Sequence, residues 1–317
     1  MKDLKETQDF VNQIELSQQP VKDIAHYTSL EAMNSIFNGI QVINMKESQL
    51  VMRATHIQEE DDPEELLEGT DFLMGVLSNL EEGFPEKFKL SNYMKDVKSS
   101  RKYNQLSEED IKKWFLGGIR TPYVISFARQ IDKLVMWQSP YARNGEGACL
   151  VFNFSSMNYS NDRLHIQSPF PIIYGKRLGY LGLKNKFFSL IWRELIDYCN
   201  KVEDVLDPDN ITFYKLQTME SLYAFVSSYF KREKWHSQQE IRIVCTTNDE
   251  HPTCVKTDEK KRKYVEVPVP LTCLKQVILG PKVDDLYVKS VREILAPFGF
   301  CQDSIFKSKE QLRKTNP

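Results

Sequence analysis

Residues 122–154 read PYVISFARQIDKLVMWQSPYARNGEGACLVFNF. Two runs rich in β-branched and aromatic residues, PYVISFA and GACLVFNF, are each the length of one buried strand. Between them RQIDKLVMWQSPYARNGE supplies a short helix and a loop carrying Gly145 and Gly147. Working back toward the start, DIAHYT reads as a strand, and SLEAMNSIFNG as a helix that Ser29 caps and Gly39 ends. IQVINMKESQLVMRAT alternates well enough for two short strands. A helix follows in DDPEELLEGTDFLMGVLSNLEEG, with Pro63 in its first turn. Another follows in LSEEDIKKWFLGG, where Ser107 and Asp110 form a capping box. Working forward, PFPIIY reads as a strand, 183–203 and 211–231 as long helices, and QEIRIVCTT, RKYVEVPV and LKQVILG as strands. DDLYVKSVREILAPFG closes with a helix before a strand-like QDSIF.

Strands bracket helices irregularly, without the alternation of a doubly wound sheet. The expected fold is therefore α+β: a single domain with a mixed or antiparallel sheet and inserted helices. No G-x-G-x-x-G follows a strand, and no Walker A sequence occurs, so the usual phosphate-binding loops are missing. At 317 residues, 41% hydrophobic and 27% charged, the chain has the composition of a packed globule. A net charge of −2 gives no global basic field, which disfavours a DNA-coating role. The basic cluster KTDEKKRK at 256–263 reads as a solvated hairpin tip.

The opening MKDLKETQDFVNQIELSQQ has no apolar core of a secretory signal, and no window of 18 apolar residues occurs. A cytoplasmic protein away from membranes is expected. Its six cysteines lack C-x-x-C spacing and read as small hydrophobes rather than as a zinc site or disulfide framework.

Four constellations carry candidate chemistry. His26-Tyr27-Thr28 ends the first strand and offers an imidazole, a stacking face and a hydroxyl, suited to a ribose and a flat ring. The bland alternative is a histidine satisfied at the strand end. Asp61-Asp62-Pro63-Glu64-Glu65 puts acids at a helix start, where they complement the dipole. Asp62 and Glu65 are kept as rim candidates. Ser126-Phe127 leaves the PYVISFA strand, with Trp137, Tyr141, Gly145 and Gly147 downstream as an aromatic and close-approach wall. In Lys234-Trp235-His236-Ser237-Gln238-Gln239-Glu240-Ile241-Arg242 the alternation sets Glu240 and Arg242 on one face and Ile241 and Ile243 toward the core. That pair reads either as a modest surface ion pair or as a carboxylate beside Gln238 that stabilises an oxocarbenium-like centre.

In order along the chain, HYTSLEAMNSIFNGIQV, DDPEE, VISFARQIDKLVMWQSPYARNGEGACLVFNF, KWHSQQEIRIV and LKQVILGPKVDDLYVKSVREIL resemble the bacterial family catalogued as domain of unknown function 2971, over about residues 24–306. Asp61-Asp62-Pro63 stands where that family tends to show Asn-Asp-Pro. More loosely, the His-Tyr-Thr strand, the middle strand with Ser126 and the late strand with Glu240 are similar to the His-Tyr-Glu layout of toxin-like ADP-ribosyltransferases. That resemblance implies a split-sheet core over 24–306, with helical insertions near 63–117 and 183–231, a helical extension at 1–23 and a polar tail at 307–317. It also implies NAD as substrate: His26 on the nicotinamide ribose, Tyr27 or Tyr141 on nicotinamide, Ser126 supporting the pocket, and Glu240 as the catalytic acid. Thr28, Phe127, Trp137, Gln238 and Arg242 complete the candidate NAD site. The partners it implies are a protein or nucleic-acid acceptor and an antitoxin, in a toxin or antiphage-defence role. Two alternatives stand beside it: a non-catalytic nucleotide or nucleic-acid binding module, and a metal-dependent nuclease using the acidic run at 59–65.

Overall fold

A computed structural model describes residues 23–40, 48–57, 65–92, 122–157, 163–174, 228–231, 233–247 and 254–310, with single or short stretches at 159, 191, 194–201, 214–215, 218–219 and 222. The capping box at 107–110, the acids at 59–64, the termini at 1–22 and 311–317, and the first expected strand near 41–47 lie outside them.

The described residues form an α+β fold on one eleven-stranded mixed sheet. The strands are β1 (Asp23–Thr28), β2 (Gln49–His56), β3 (Pro122–Ala128), β4 (Ala148–Asn153), β5 (Leu164–Ile166), β6 (Phe170–Pro171), β9 (Glu240–Thr247), β10 (Val255–Thr257), β11 (Lys263–Pro270), β12 (Leu274–Leu279) and β13 (Ile305–Lys307). Two further short strands, β7 (Ile173–Tyr174) and β8 (Phe230–Lys231), pair with each other in parallel. The main order is β10-β11-β2-β3-β1-β4-β12-β13, antiparallel except for β12 with β13, and β9 joins β3 with β5 and β6 beyond it.

Strand β3 is the junction. One edge pairs with β9 along its whole length, from Pro122↔Thr246 to Ala128↔Glu240. The other edge is shared. It meets β2 only at His56↔Tyr123 and Thr55↔Val124, and β1 only at Ala25↔Ala128. The sheet therefore parts between β2 and β1, and Ile125, Ser126 and Phe127 face the opening without a ladder partner on that side. Antiparallel ladders alternate between pairs that exchange backbone hydrogen bonds and pairs that do not. Arg129 N–H bonds to the Gln239 carbonyl, which makes Phe127/Ile241 a bonded pair and Ser126/Arg242 a non-bonded one. Ser126 thus turns its carbonyl into the opening and brings its side chain close to Arg242.

The alternation expected for β9 holds. Ile241 and Ile243 join Phe127 and Ile125 in the larger core with Leu50, Met52 and Ala54 of β2 and Val265, Val267 and Val269 of β11. Helix α1 (Leu30–Asn38) adds Met33, Ile36 and Phe37, and helix α4 (Asp285–Leu295) adds Val288, Val291 and Leu295. Each such fully buried side chain contributes about 1.5–3 kcal/mol. Helix α1 starts as its sequence dictates, with Ser29 Oγ accepting from Ala32 N–H at 3.2 Å. On the other face, Val124 and Val244 pack under helix α2 (Glu65–Leu80) through Leu73, Val76 and Leu77, with Phe170, Tyr198 and Tyr229 beside them. A third cluster joins Ala25, Tyr27, Met136 and Trp137 around the single-turn helix α3 (Leu134–Trp137).

Two sequence expectations change. The helix expected to run to 231 stops short, because Ser228 and Tyr229 form a turn and Phe230–Lys231 is strand β8. PFPIIY is broken at Ile172 into β6 and β7, since Ile172 N–H bonds to the Glu240 carbonyl between them. Within the basic cluster at 256–263, residues 258–262 form the tip of the β10–β11 hairpin, exposed from Glu259 onward, as its charge suggested.

Candidate functional site

The parting of the sheet opens a cleft of about 190 Å³ lined by His26 and Tyr27 of β1, Arg53 and Thr55 of β2, Ser126 of β3, Tyr141, Gln238 and Glu240 among others. A single water needs ~10–15 Å³ on this scale, so the space is of ligand size.

Ser126 links the two walls. Its carbonyl accepts from His26 Nδ1 at 2.9 Å, and its hydroxyl donates to Glu240 Oε1 at 2.8 Å. A carbonyl can only accept, so Nδ1 carries the proton, and the neutral ring keeps a lone pair on Nε2. Burial pushes the His26 pKa down, against the opposite pull of the Ser126 carbonyl, which favours that neutral form.

Glu240 is 5% exposed and tightly held. Arg242 Nε donates to Oε1 at 2.5 Å, Lys231 Nζ donates to Oε2 at 2.5 Å, and the backbone N–H of Glu240 donates to the Tyr174 hydroxyl at 2.7 Å. Arg242 Nη1 also donates to the Ser228 carbonyl at 2.8 Å. Burial alone would raise the Glu240 pKa, but Arg242 and Lys231 overcome it and hold the carboxyl at about 2. The pair is not the modest surface contact that one sequence reading allowed: Arg242 is 0% exposed. A carboxylate has roughly four acceptor positions. Three donors occupy three of them, leaving capacity on Oε2 for one more.

The remaining candidates divide. Gln238 lines the cleft and its Oε1 accepts from Lys231 Nζ at 3.4 Å. Phe127 lines it too, but its ring lies in the core 5.6 Å from His26 and 5.3 Å from Phe154. Tyr141, 42% exposed, is the aromatic side chain at the mouth. The Tyr27 hydroxyl is engaged with the loop, donating to the Gln130 carbonyl at 3.0 Å and accepting from Lys133 N–H at 3.3 Å. Trp137 is not a wall of the cleft. It is fully buried, edge-on to Tyr27 at 5.2 Å, with Nε1 bonded to Asp132 Oδ1 at 2.8 Å. Thr28 is also buried and does not line the cleft; its carbonyl lies 2.3 Å from where a Cβ on Gly147 would stand. The side chains of Asp62 and Glu65 lie outside the described residues.

Sequence reasoning missed Lys231, Tyr174, Arg53 and Thr55. Arg53 and Thr55 were legible in part, since both fall on the polar face of an alternating QLVMRATH strand. Lys231 and Tyr174 carried no signal, because their place depends on a two-residue parallel pairing. Among the described residues no three His, Cys, Asp or Glu side chains are grouped to hold a metal, and no helix is long and apolar enough to cross a membrane.

No curated protein and no solved structure matches the chain. Residues 136–243, narrower than the span of the sequence resemblance and holding Tyr141, Lys231, Gln238, Glu240 and Arg242, match the family described as protein of unknown function (DUF2971).

Proposed function

We propose that the cleft binds NAD and that the protein transfers ADP-ribose from it to a macromolecular acceptor. The observation that carries this reading is the meeting of His26 and Glu240, 214 positions apart in sequence, in one cleft through Ser126. His26 Nε2 accepts from a ribose hydroxyl, Tyr141 covers the nicotinamide ring, and the free capacity of Glu240 Oε2 takes a second ribose hydroxyl. The bond from ribose C1′ to the nicotinamide nitrogen breaks with its electron pair leaving on nicotinamide. The Glu240 carboxylate stabilises the resulting oxocarbenium centre, and a nucleophile of a protein, a nucleic acid or water then attacks C1′ and passes its proton to solvent water.

The test is nicotinamide release from NAD by the purified protein, together with capture of labelled ADP-ribose on lysate protein or nucleic acid. Glu240→Gln should lower release by about 100-fold or more, the scale of losing one preorganised electrostatic group. Absence of release and of labelling by the wild type would sink the reading. A toxin or antiphage-defence role belongs to the same proposal: expression should arrest bacterial growth, and Glu240→Gln should relieve the arrest.

One observation favours a second reading. Lys231 and Arg242 both clamp Glu240, which fixes the carboxylate in place and suits a non-catalytic nucleotide-binding module. NAD binding with no turnover in the same assay would select it.

A further inference from the structure

The cleft has a second wall that the ribose chemistry does not use. Strand β2 leaves β3 after Thr55↔Val124, and continuing that register would set Arg53 opposite Ser126, where the strands have separated. Arg53 therefore stands across the opening from the Ser126 and Glu240 side. Among the described lining residues it is the only arginine or lysine. Its guanidinium lies 4.7 Å from the Tyr264 ring centroid on β11, which orients the planar group. The acid facing it across the ladder, Glu266, already accepts from Lys256 Nζ at 2.6 Å. Thr55, next on the same face of β2, places a hydroxyl in the same wall. Neither a G-x-G-x-x-G nor a Walker A sequence occurs in the chain, so neither of these loops supplies phosphate contacts.

Building on the NAD reading, we propose that Arg53, with Thr55 beside it, forms a subsite for the pyrophosphate of a dinucleotide. Arg53 acts as the fork-shaped donor that sets how deep the ligand sits, and Tyr264 positions it. The planar guanidinium matches two phosphate oxygens at once, which a lysine ammonium does not.

Calorimetric titration of the full chain with inorganic pyrophosphate and with ADP-ribose, on wild type, Arg53→Ala and Arg53→Lys, tests this. Expected are losses of about 10- to 100-fold in both affinities for Arg53→Ala, the worth of a charge-assisted hydrogen bond. Arg53→Lys should fall between, and Arg53→Ala should show a shallower salt dependence. Wild-type affinities in Arg53→Ala overturn the subsite and leave the NAD reading standing. Arg53-dependent pyrophosphate binding with no ADP-ribose binding by the wild type supports the anion subsite and removes the NAD reading. Binding of neither ligand by the wild type overturns both.

Discussion

Glu240 and Arg242 stand two apart on β9 and share a buried ion pair, Nε to Oε1 at 2.5 Å, with neither side chain more than 5% exposed. Lys231 completes the cluster on Oε2. Because two cations share one anion, the partners are not equivalent. Glu240→Gln removes the buried carboxylate that both cations share and should cost about 3–5 kcal/mol. Lys231→Met keeps the Arg242–Glu240 contact and should cost much less. In urea unfolding, the double variant should be less destabilised than the sum of the singles by about 1 kcal/mol or more. Additive costs would mean that the three groups do not act as a unit.

Acid should weaken the protein in two successive windows. Burial, with Lys263 adding to it, drives the His56 pKa to about 4, below its ordinary 6.5. A depressed folded-state pKa means that the unfolded chain takes up protons first. The contribution of His56 is then whole above pH 6.5 and lost as pH falls toward about 4. The lowered His26 pKa acts in the same direction. Glu240, depressed from 4.5 to about 2, contributes in full above pH 4.5 and is lost below that. Thermal melting from pH 8 to 3 should show Tm falling already between pH 6.5 and 5, with His56→Gln flattening that first slope. A Tm constant across that interval in wild type contradicts the assignment.

Gly280 and Gly75 should respond in opposite ways to alanine. A Cβ on Gly280 would stand 2.2 Å from the Gly145 carbonyl oxygen and 2.7 Å from its carbon, both backbone atoms. Gly280 N–H bonds to the Gly147 carbonyl at 2.8 Å, so the two segments have no slack. Gly145 itself follows Arg143 and Asn144 in a left-handed run with φ of 48°, 51° and 87°, next to Tyr141 at the cleft mouth. Gly280→Ala should cost about 3 kcal/mol or prevent folding. Gly75, exposed in α2, has nothing within 4 Å of its missing Cβ. Gly75→Ala should add about 0.5–1 kcal/mol. Differential scanning calorimetry reads both signs.

The sequence carried the long strands because their chemistry is local. PYVISFA, GACLVFNF and QEIRIVCTT are apolar or alternating over six to eight residues, and each forms the strand it reads as. Strands β6, β7 and β8 have two residues each, too few for any period, and β8 continues an apolar helical pattern, so the helix expectation ran through it. Alternation also gave the face of Arg242 but not its burial. What covers that face is the cluster of Phe170, Tyr174 and Tyr229, which arrives by tertiary packing. Trp137 misled for the converse reason: an aromatic beside a glycine loop suggests a wall, but Asp132 satisfies its Nε1 and Tyr27 fills its edge. His26 and Glu240 were legible as residues, whereas the bridge between them was not, because the Ser126 carbonyl is exposed by the parting of β2 from β1 and not by any feature of its own sequence.

Ser126→Ala separates catalysis from binding. The substitution removes the hydroxyl on Glu240 Oε1 but leaves the carbonyl that fixes the His26 tautomer, and Arg242 and Lys231 still hold the carboxylate. Stability should fall by only about 1.5–3 kcal/mol, the worth of one hydrogen bond to a charged group. If Glu240 stabilises a developing positive centre, losing a neutral donor makes the carboxylate slightly freer in position. Reactions of this kind are sensitive to ångström-scale misplacement, so nicotinamide release should drop by about 10-fold or more while ADP-ribose affinity changes by less than about threefold. If the cleft only binds, affinity should change as much as any other readout. Parallel titration and nicotinamide-release measurements on the one variant distinguish the two, and an affinity loss equal to the rate loss would assign Ser126 to binding alone.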